Sequence, residues 1–238
     1  MSSVHVIFDL DDTLYPERHF AVAGFRAAGR WAEAEFGVKG IDLEMIDLLD
    51  RGMLGKIFAT VLSRHVPDHT PDQVAAFHNA YRTCEPDLSL FDDARHALDH
   101  FGGLGPIGLI TDGMLTMQQR KVRALALEPR FAHIVYTDAL GPDRAYFKPH
   151  ARPFETMAAA LGRAGDRYVY VGDNPAKDFI APNALGWTTV QVVRSTRGIH
   201  DATHRVPGGD AHYRVDSLRD LGDILAQAAK SNPRGPPM

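Results

Sequence analysis

Short runs of β-branched and aromatic residues, each ending on a polar turn, alternate in this chain with segments of helical periodicity. No other feature constrains the fold as strongly. Residues 4–8, Val-His-Val-Ile-Phe, read as a strand, and so do residues 107–110, 134–136, 168–171 and 189–193. Helical patterning fills residues 94–101, 117–127, 153–161 and 176–185 between and after them. A helix must bury one stripe and a strand both faces of its sheet, so this alternation predicts an α/β core with a parallel sheet and helices on both faces.

One strand sits at the amino terminus and the rest lie beyond residue 100, which makes the intervening segment an insertion. Its pattern is helical. Phe20, Ala23, Ala27, Trp31 and Ala34 recur at three- and four-residue steps. Ile46, Leu49, Met53, Ile57, Val61 and Leu62 continue the pattern around a loop at Gly52 and Gly55. Thr70 is placed to cap a helix opened by Pro71. The expected organisation is a core of residues 1–16 and 87–230, a small helical cap over residues 17–86, and a frayed Pro/Gly tail over residues 231–238.

Composition then removes whole classes of function. With 45% hydrophobic and 24% charged residues the chain can build a packed core. A net charge of -4 argues against a nucleic-acid binder that works through bulk positive charge. No apolar run approaches the ~20 residues needed to span a bilayer, so no membrane partner is expected. The start of the chain lacks a basic region leading into an apolar stretch, as a secretion signal requires. The single cysteine, Cys84, excludes a disulfide framework and fits a reducing compartment, so a cytoplasmic location is expected.

In open parallel sheets, ligands bind beyond the carboxyl ends of the strands. The residues at those ends form a coherent set. Asp9, Asp11, Asp12 and Thr13 follow the first strand, and Thr111, Asp112 and Gly113 follow the second. Lys148 lies beyond the third, just before Pro149. Gly172, Asp173, Asn174 and Pro175 follow the fourth, with Lys177 and Asp178 close behind. Carboxylates gathered on one edge repel unless a cation neutralises them, and hard oxygen donors suit Mg2+.

Asp9-Leu10-Asp11-Asp12-Thr13, Thr111-Asp112-Gly113, Lys148-Pro149 and Gly172-Asp173 with Asp178 five residues beyond Asp173 resemble, in order and placement, the four motifs of the haloacid dehalogenase-like hydrolase superfamily. The resemblance implies a Rossmann-like core and assigns roles. Asp9 would be the nucleophile that attacks phosphorus and forms an aspartyl-phosphate. Asp11 would protonate the leaving oxygen and later deprotonate water. Thr111, with the neighbouring backbone at Asp112, and Lys148 would hold the phosphate oxygens. Asp9, the carbonyl of Asp11 and Asp173 would ligate Mg2+, with Asp178 orienting Lys148 or a metal-bound water. Branches that cleave carbon–halogen bonds lack an acid at the position of Asp11, because a halide leaves without a proton. The expected activity is therefore a Mg2+-dependent phosphatase acting on a small soluble phosphomonoester, a sugar phosphate or a nucleoside monophosphate. The run from Gln118 to Val122 resembles branches containing both substrate types. Transfer of a phosphoryl group between two positions of one sugar is the alternative enzyme reading. A non-catalytic binding protein would need a defective motif, and none is found.

Other features have plain structural readings. Gly103-Leu104-Gly105-Pro106-Ile107-Gly108 matches a dinucleotide fingerprint in letters only, because it leads into a strand instead of out of one. His65 with His69, and His200 with His204, stand four apart in loop-like sequence and are not read as zinc sites. Cys84 is read as packed, and Phe20 and Trp31 as core of the helical insert. Arg18, Arg26, Arg51, Lys56 and Arg82 are read as solvated helix faces, of which one or two could face the substrate.

Overall fold

In the computed structural model, which describes residues 3–194, 198–199 and 206–231, the first strand becomes the centre of the sheet. β1 (Val4–Phe8) turns Val6 and Phe8 to one apolar cluster and Ile7 to another, so it must be covered on both sides. β2 (Gly108–Thr111), β3 (His133–Tyr136), β4 (Arg167–Gly172), β5 (Thr188–Val192) and β6 (Tyr213–Val215) complete a parallel sheet of order β3-β2-β1-β4-β5-β6. In this order the chain winds outward in opposite directions from β1. A crevice therefore opens at the carboxyl ends of β1 and its neighbours β2 and β4.

Helices cover both faces. One face packs Ala94, Leu98 and Phe101 of α5 (Asp92–Leu104), Val122 of α6 (Leu115–Ala124) and Leu221 of α9 (Leu221–Ser231) against the sheet. The other packs Phe154 and Met157 of α7 (Arg152–Leu161) and Ala181 of α8 (Ile180–Ala184). α8 is shorter than the sequence pattern suggested. The chain from Asn174 first forms a turn in which the Lys177 and Asp178 amides both donate to the Asn174 carbonyl. The sixth strand was not expected: it has three residues and pairs on one side only.

Between β1 and α5 the chain forms α1 (Glu17–Phe36), α2 (Ile41–Asp50), α3 (Ile57–His65) and α4 (Pro71–Arg82). Phe25, Met45, Val61 and Phe77 from these four helices share a separate apolar cluster. α4 begins with the expected Thr70 cap, and Gln73 reaches back to the Thr70 amide. Phe20 departs from expectation. It lies at the root of α1, buried in the cluster under the sheet with Leu14 and Tyr15, while Trp31 packs among the helices. Cys84 is buried in the sheet-side cluster, and burial pushes its thiol up.

Some of the charged helix faces are paired locally. Arg18 grips Asp50 through two bonds of 2.8 Å, and Arg51 pairs with Asp47. His65 contacts Glu44, whereas His69 contacts the Val66 carbonyl. His200, His204 and residues 232–238 of the tail lie outside the described residues. Among the described residues, no helix is long and apolar enough to cross a membrane.

Candidate active site

The site grows out of four strand ends. Asp9 follows β1, and its amide donates to the Val171 carbonyl of β4 at 2.8 Å, which fixes where the side chain starts. Asp12 then adopts φ +53°, a left-handed turn that aspartate tolerates better than most residues. Its Oδ1 accepts the Glu17 amide at 2.9 Å, so the turn after the strand also caps the first turn of α1. Asp9 and α1 are thereby set by the same few residues.

Lys148 is the electrostatic centre. Its Nζ donates to Asp9 Oδ1 at 2.6 Å, to Asp178 Oδ1 at 2.7 Å and to the Tyr170 hydroxyl at 3.0 Å. None of its side chain is exposed. Burial alone would push this ammonium towards neutrality, but the charges of Asp178 and Asp9 outweigh it and raise the pKa well above the ordinary value. Asp178 moves the opposite way: burial raises it, and Lys148 overcomes that to hold it low. Burial pushes Asp9 up to about 6.

Three carboxylates, from Asp9, Asp173 and Asp178, present oxygens within 4.8 Å of one another. They are not equivalent. Both oxygens of Asp178 are taken, Oδ1 by Lys148 and Oδ2 by the Asn174 amide at 2.9 Å. The Asp173 carboxylate is buried, yet no described residue donates a hydrogen bond to it. Burial, then Asp178 and Asp9, push its pKa well up. Burial beside carboxylates of the same charge favours a proton or a cation on this group. The donor set, hard oxygens alone, fits Mg2+.

Thr111 contributes a second orphan. Its Oγ1, at the end of β2, is buried without a partner among the described residues. Asp112 is built into the frame: its Oδ1 accepts the Lys148 amide at 3.2 Å, and Lys177 lies 3.6 Å from its Oδ2. Asp11 stands apart from the cluster. Its carboxylate turns towards α6, where Tyr15, Gln118 and Lys121 hold it. Tyr15, Tyr170, Lys177, Gln118 and Lys121 are the residues that sequence reasoning left without a role. For the last two, the available signal was their three-residue spacing on the helix that follows Thr111-Asp112-Gly113.

Gly172 marks how tightly this is packed. A Cβ added there would stand 2.6 Å from Asp178 Oδ2, the oxygen that accepts the Asn174 amide. Gly172→Ala should therefore destabilise the protein by about 1–3 kcal/mol, the usual cost of overpacking. Denaturant unfolding checks this, and a midpoint equal to that of the parent would mean that the Asp178 carboxylate can shift without loss.

Comparisons with known proteins agree with this architecture. A family model described as haloacid dehalogenase-like hydrolase matches residues 5–186. A glyceraldehyde 3-phosphate phosphatase from Methanopyrus kandleri is 27% identical over 234 residues, covering 94% of this chain and 98% of that protein. A ribulose-1,5-bisphosphate 5-phosphatase from Halopiger xanaduensis is 25% identical over 245 residues, covering 93% and 98%. Among solved structures, the magnesium-bound HAD-hydrolase YfnB from Bacillus subtilis superposes with a TM-score of 0.64 at 16% identity, over 95% of this chain and 100% of that one. An L-2-haloacid dehalogenase from Xanthobacter autotrophicus superposes with a TM-score of 0.60 at 18% identity, over 95% and 99%, a likeness of fold alone.

Proposed function

Since the chain belongs to the haloacid dehalogenase-like hydrolase family, we propose that it is a Mg2+-dependent phosphatase of small sugar phosphates. The observation that carries the reading is a buried, unpaired hydroxyl and a largely buried carboxylate meeting beside a buried cation. Among the described residues the Thr111 hydroxyl has no partner and the Asp173 carboxylate no donor, and Lys148 stands beside Asp9. A phosphoryl group would supply the missing acceptor for Thr111, and a divalent cation the missing charge for Asp173. The named activities of relatives that align over nearly their full length support a phosphorylated sugar over a nucleotide as substrate.

In this reading an Asp9 carboxylate oxygen attacks phosphorus as the bond to the ester oxygen breaks, giving an aspartyl-phosphate. The leaving oxygen takes a proton from Asp11. Water then attacks the phosphorus of that intermediate, gives its proton to Asp11, and phosphate leaves with Asp9 restored. Thr111 Oγ1 donates to a non-bridging oxygen, and Lys148 offsets the charge on the group in flight. Asp9, the Asp11 carbonyl and Asp173 would hold Mg2+, which, when bound, neutralises the carboxylates and draws charge from the phosphoryl oxygens. Asp178 acts through Lys148, since neither of its oxygens is free. Residues 17–86, whose helices share an apolar cluster of their own, would act as a cap, hinged near Pro16–His19 and Cys84–Leu88. Such a lid excludes water from the first attack and reads the leaving group.

Phosphate release should be measured over phosphorylated trioses, pentoses and hexoses and over nucleoside monophosphates, with Mg2+ and with EDTA. Sugar phosphates should be hydrolysed with Mg2+, and EDTA should abolish release. Release from nucleotides alone would overturn the substrate class. Interconversion of sugar phosphate isomers without release would establish the mutase alternative instead.

A further inference from the structure

α6 buries two polar side chains where apolar ones would pack more cheaply. Gln118 and Lys121, three residues apart on one face, are 3% and 2% exposed. A buried ammonium costs free energy unless it is paired, so its partners show what it is for. Lys121 Nζ donates to Asp11 Oδ1 at 2.7 Å, lies 3.5 Å from Glu17 Oε1 and sits 4.7 Å from the centre of the Phe20 ring. Glu17 and Phe20 belong to the first turn of α1, so one cation touches both the proposed acid and the root of the helical insert.

The two oxygens of Asp11 are held differently. Oδ1 accepts from Lys121 and from the buried Tyr15 hydroxyl at 2.5 Å. Among the described residues Oδ2 accepts only the Gln118 amide, at 3.0 Å, and the same Nε2 also donates to the Asp112 carbonyl in the turn that carries Thr111. Both contacts of Nε2 are acceptors, which fixes the orientation of the amide and leaves its Oε1 buried without a partner among the described residues. Space for this amide exists because residue 113 is glycine, with φ +134°: a Cβ there would collide with Gln118 Nε2. One oxygen is clamped by a charge-assisted bond, and the other rests on a neutral donor that can yield to a ligand.

We propose that Lys121 and Gln118 are positioning residues: Lys121 fixes Asp11 through Oδ1, and Gln118 sets Oδ2 against residues 111–113, so that Oδ2 is the oxygen presented to the ester. This rests on the reading of Asp11 as the acid. Both side chains act through Asp11, Lys121 on Oδ1 and Gln118 on Oδ2. Their effect should therefore appear only where protonation of the leaving group limits the reaction.

The test compares Lys121→Met, Gln118→Met and Asp11→Asn on two substrates, p-nitrophenyl phosphate and the best sugar phosphate of the panel. An aryl oxide leaves with little help, whereas a sugar alkoxide needs the proton. The ratio of sugar to aryl kcat should fall about ten- to a hundredfold in each positioning variant, the scale of a misplaced catalytic group. In an Asp11→Asn background neither variant should reduce sugar turnover further, because each acts through Asp11. A ratio unmoved by Asp11→Asn overturns the acid reading and the proposal with it. A ratio that moves with Asp11→Asn but with neither positioning variant overturns the proposal alone, as do losses that multiply in the double variants. Should Lys121→Met fail to fold, Gln118→Met, which removes no charge, decides the matter.

Discussion

Asp9→Asn should lower turnover of every phosphomonoester by about 10³-fold or more, the largest loss expected from any substitution in this protein. The amide has the shape of the carboxylate but lacks the charge to attack phosphorus or to bind a cation. The surroundings tolerate it. Asp9 is 2% exposed; an amide oxygen can keep the bond from Lys148, while the amide NH2 donates to the Thr13 hydroxyl, which accepts as well as donates. Lys148 keeps Asp178 as a charged partner, so the buried ammonium is not abandoned. The variant should therefore fold, and its loss should lie in kcat. Steady-state assays with a denaturation midpoint separate the two causes. Turnover within tenfold of the parent would remove Asp9 from the nucleophile's role.

What the sequence made legible was whatever depends on chain order and strand ends. The strand expected at residues 4–8 and the turn after it need only local patterning, and Thr111, Lys148, Asp173 and Asp178 follow from asking what comes after each strand. α6 shows where this reasoning stops. Its sequence, Leu-Thr-Met-Gln-Gln-Arg-Lys-Val-Arg-Ala, is polar nearly all round, and Arg120 and Arg123 look no different from Lys121. Lys121 is buried because Asp11 and Glu17 wait across space, a fact that periodicity does not contain. The same holds for Phe20. Its spacing assigned it to the helical insert, but in the first turn of α1 the sheet-side cluster claims it. Tyr213–Val215 escaped notice because three residues between turns carry too little alternation to read as a strand.

Lys148→Met is expected to harm stability and activity together, and the pH dependence of the damage distinguishes its cause. The methionine fills much of the same volume, so packing is largely kept. What disappears is the only group that donates to both Asp9 and Asp178 among the described residues, leaving two buried carboxylates facing each other beside Asp173. Breaking a buried pair by removing one partner costs about 3–5 kcal/mol. At Asp178 the sign reverses. Lys148 now holds it below the ordinary value, and without that charge burial and the neighbouring acids push it up. Asp9, already raised to about 6 by burial, should rise further. Carboxyls raised in the folded state bind protons that the unfolded chain releases, so stability falls as pH rises through the folded values. Measured in EDTA, the deficit of Lys148→Met should be greatest near neutral pH and shrink on acidification towards about pH 5, where native carboxyls with raised values take up protons. Turnover should fall about 10²- to 10³-fold, as when a group that stabilises developing charge is removed. A deficit that stayed constant over that pH range would mean that Lys148 supports the fold through packing, and that the charges of Asp9 and Asp178 are balanced by something other than this ammonium.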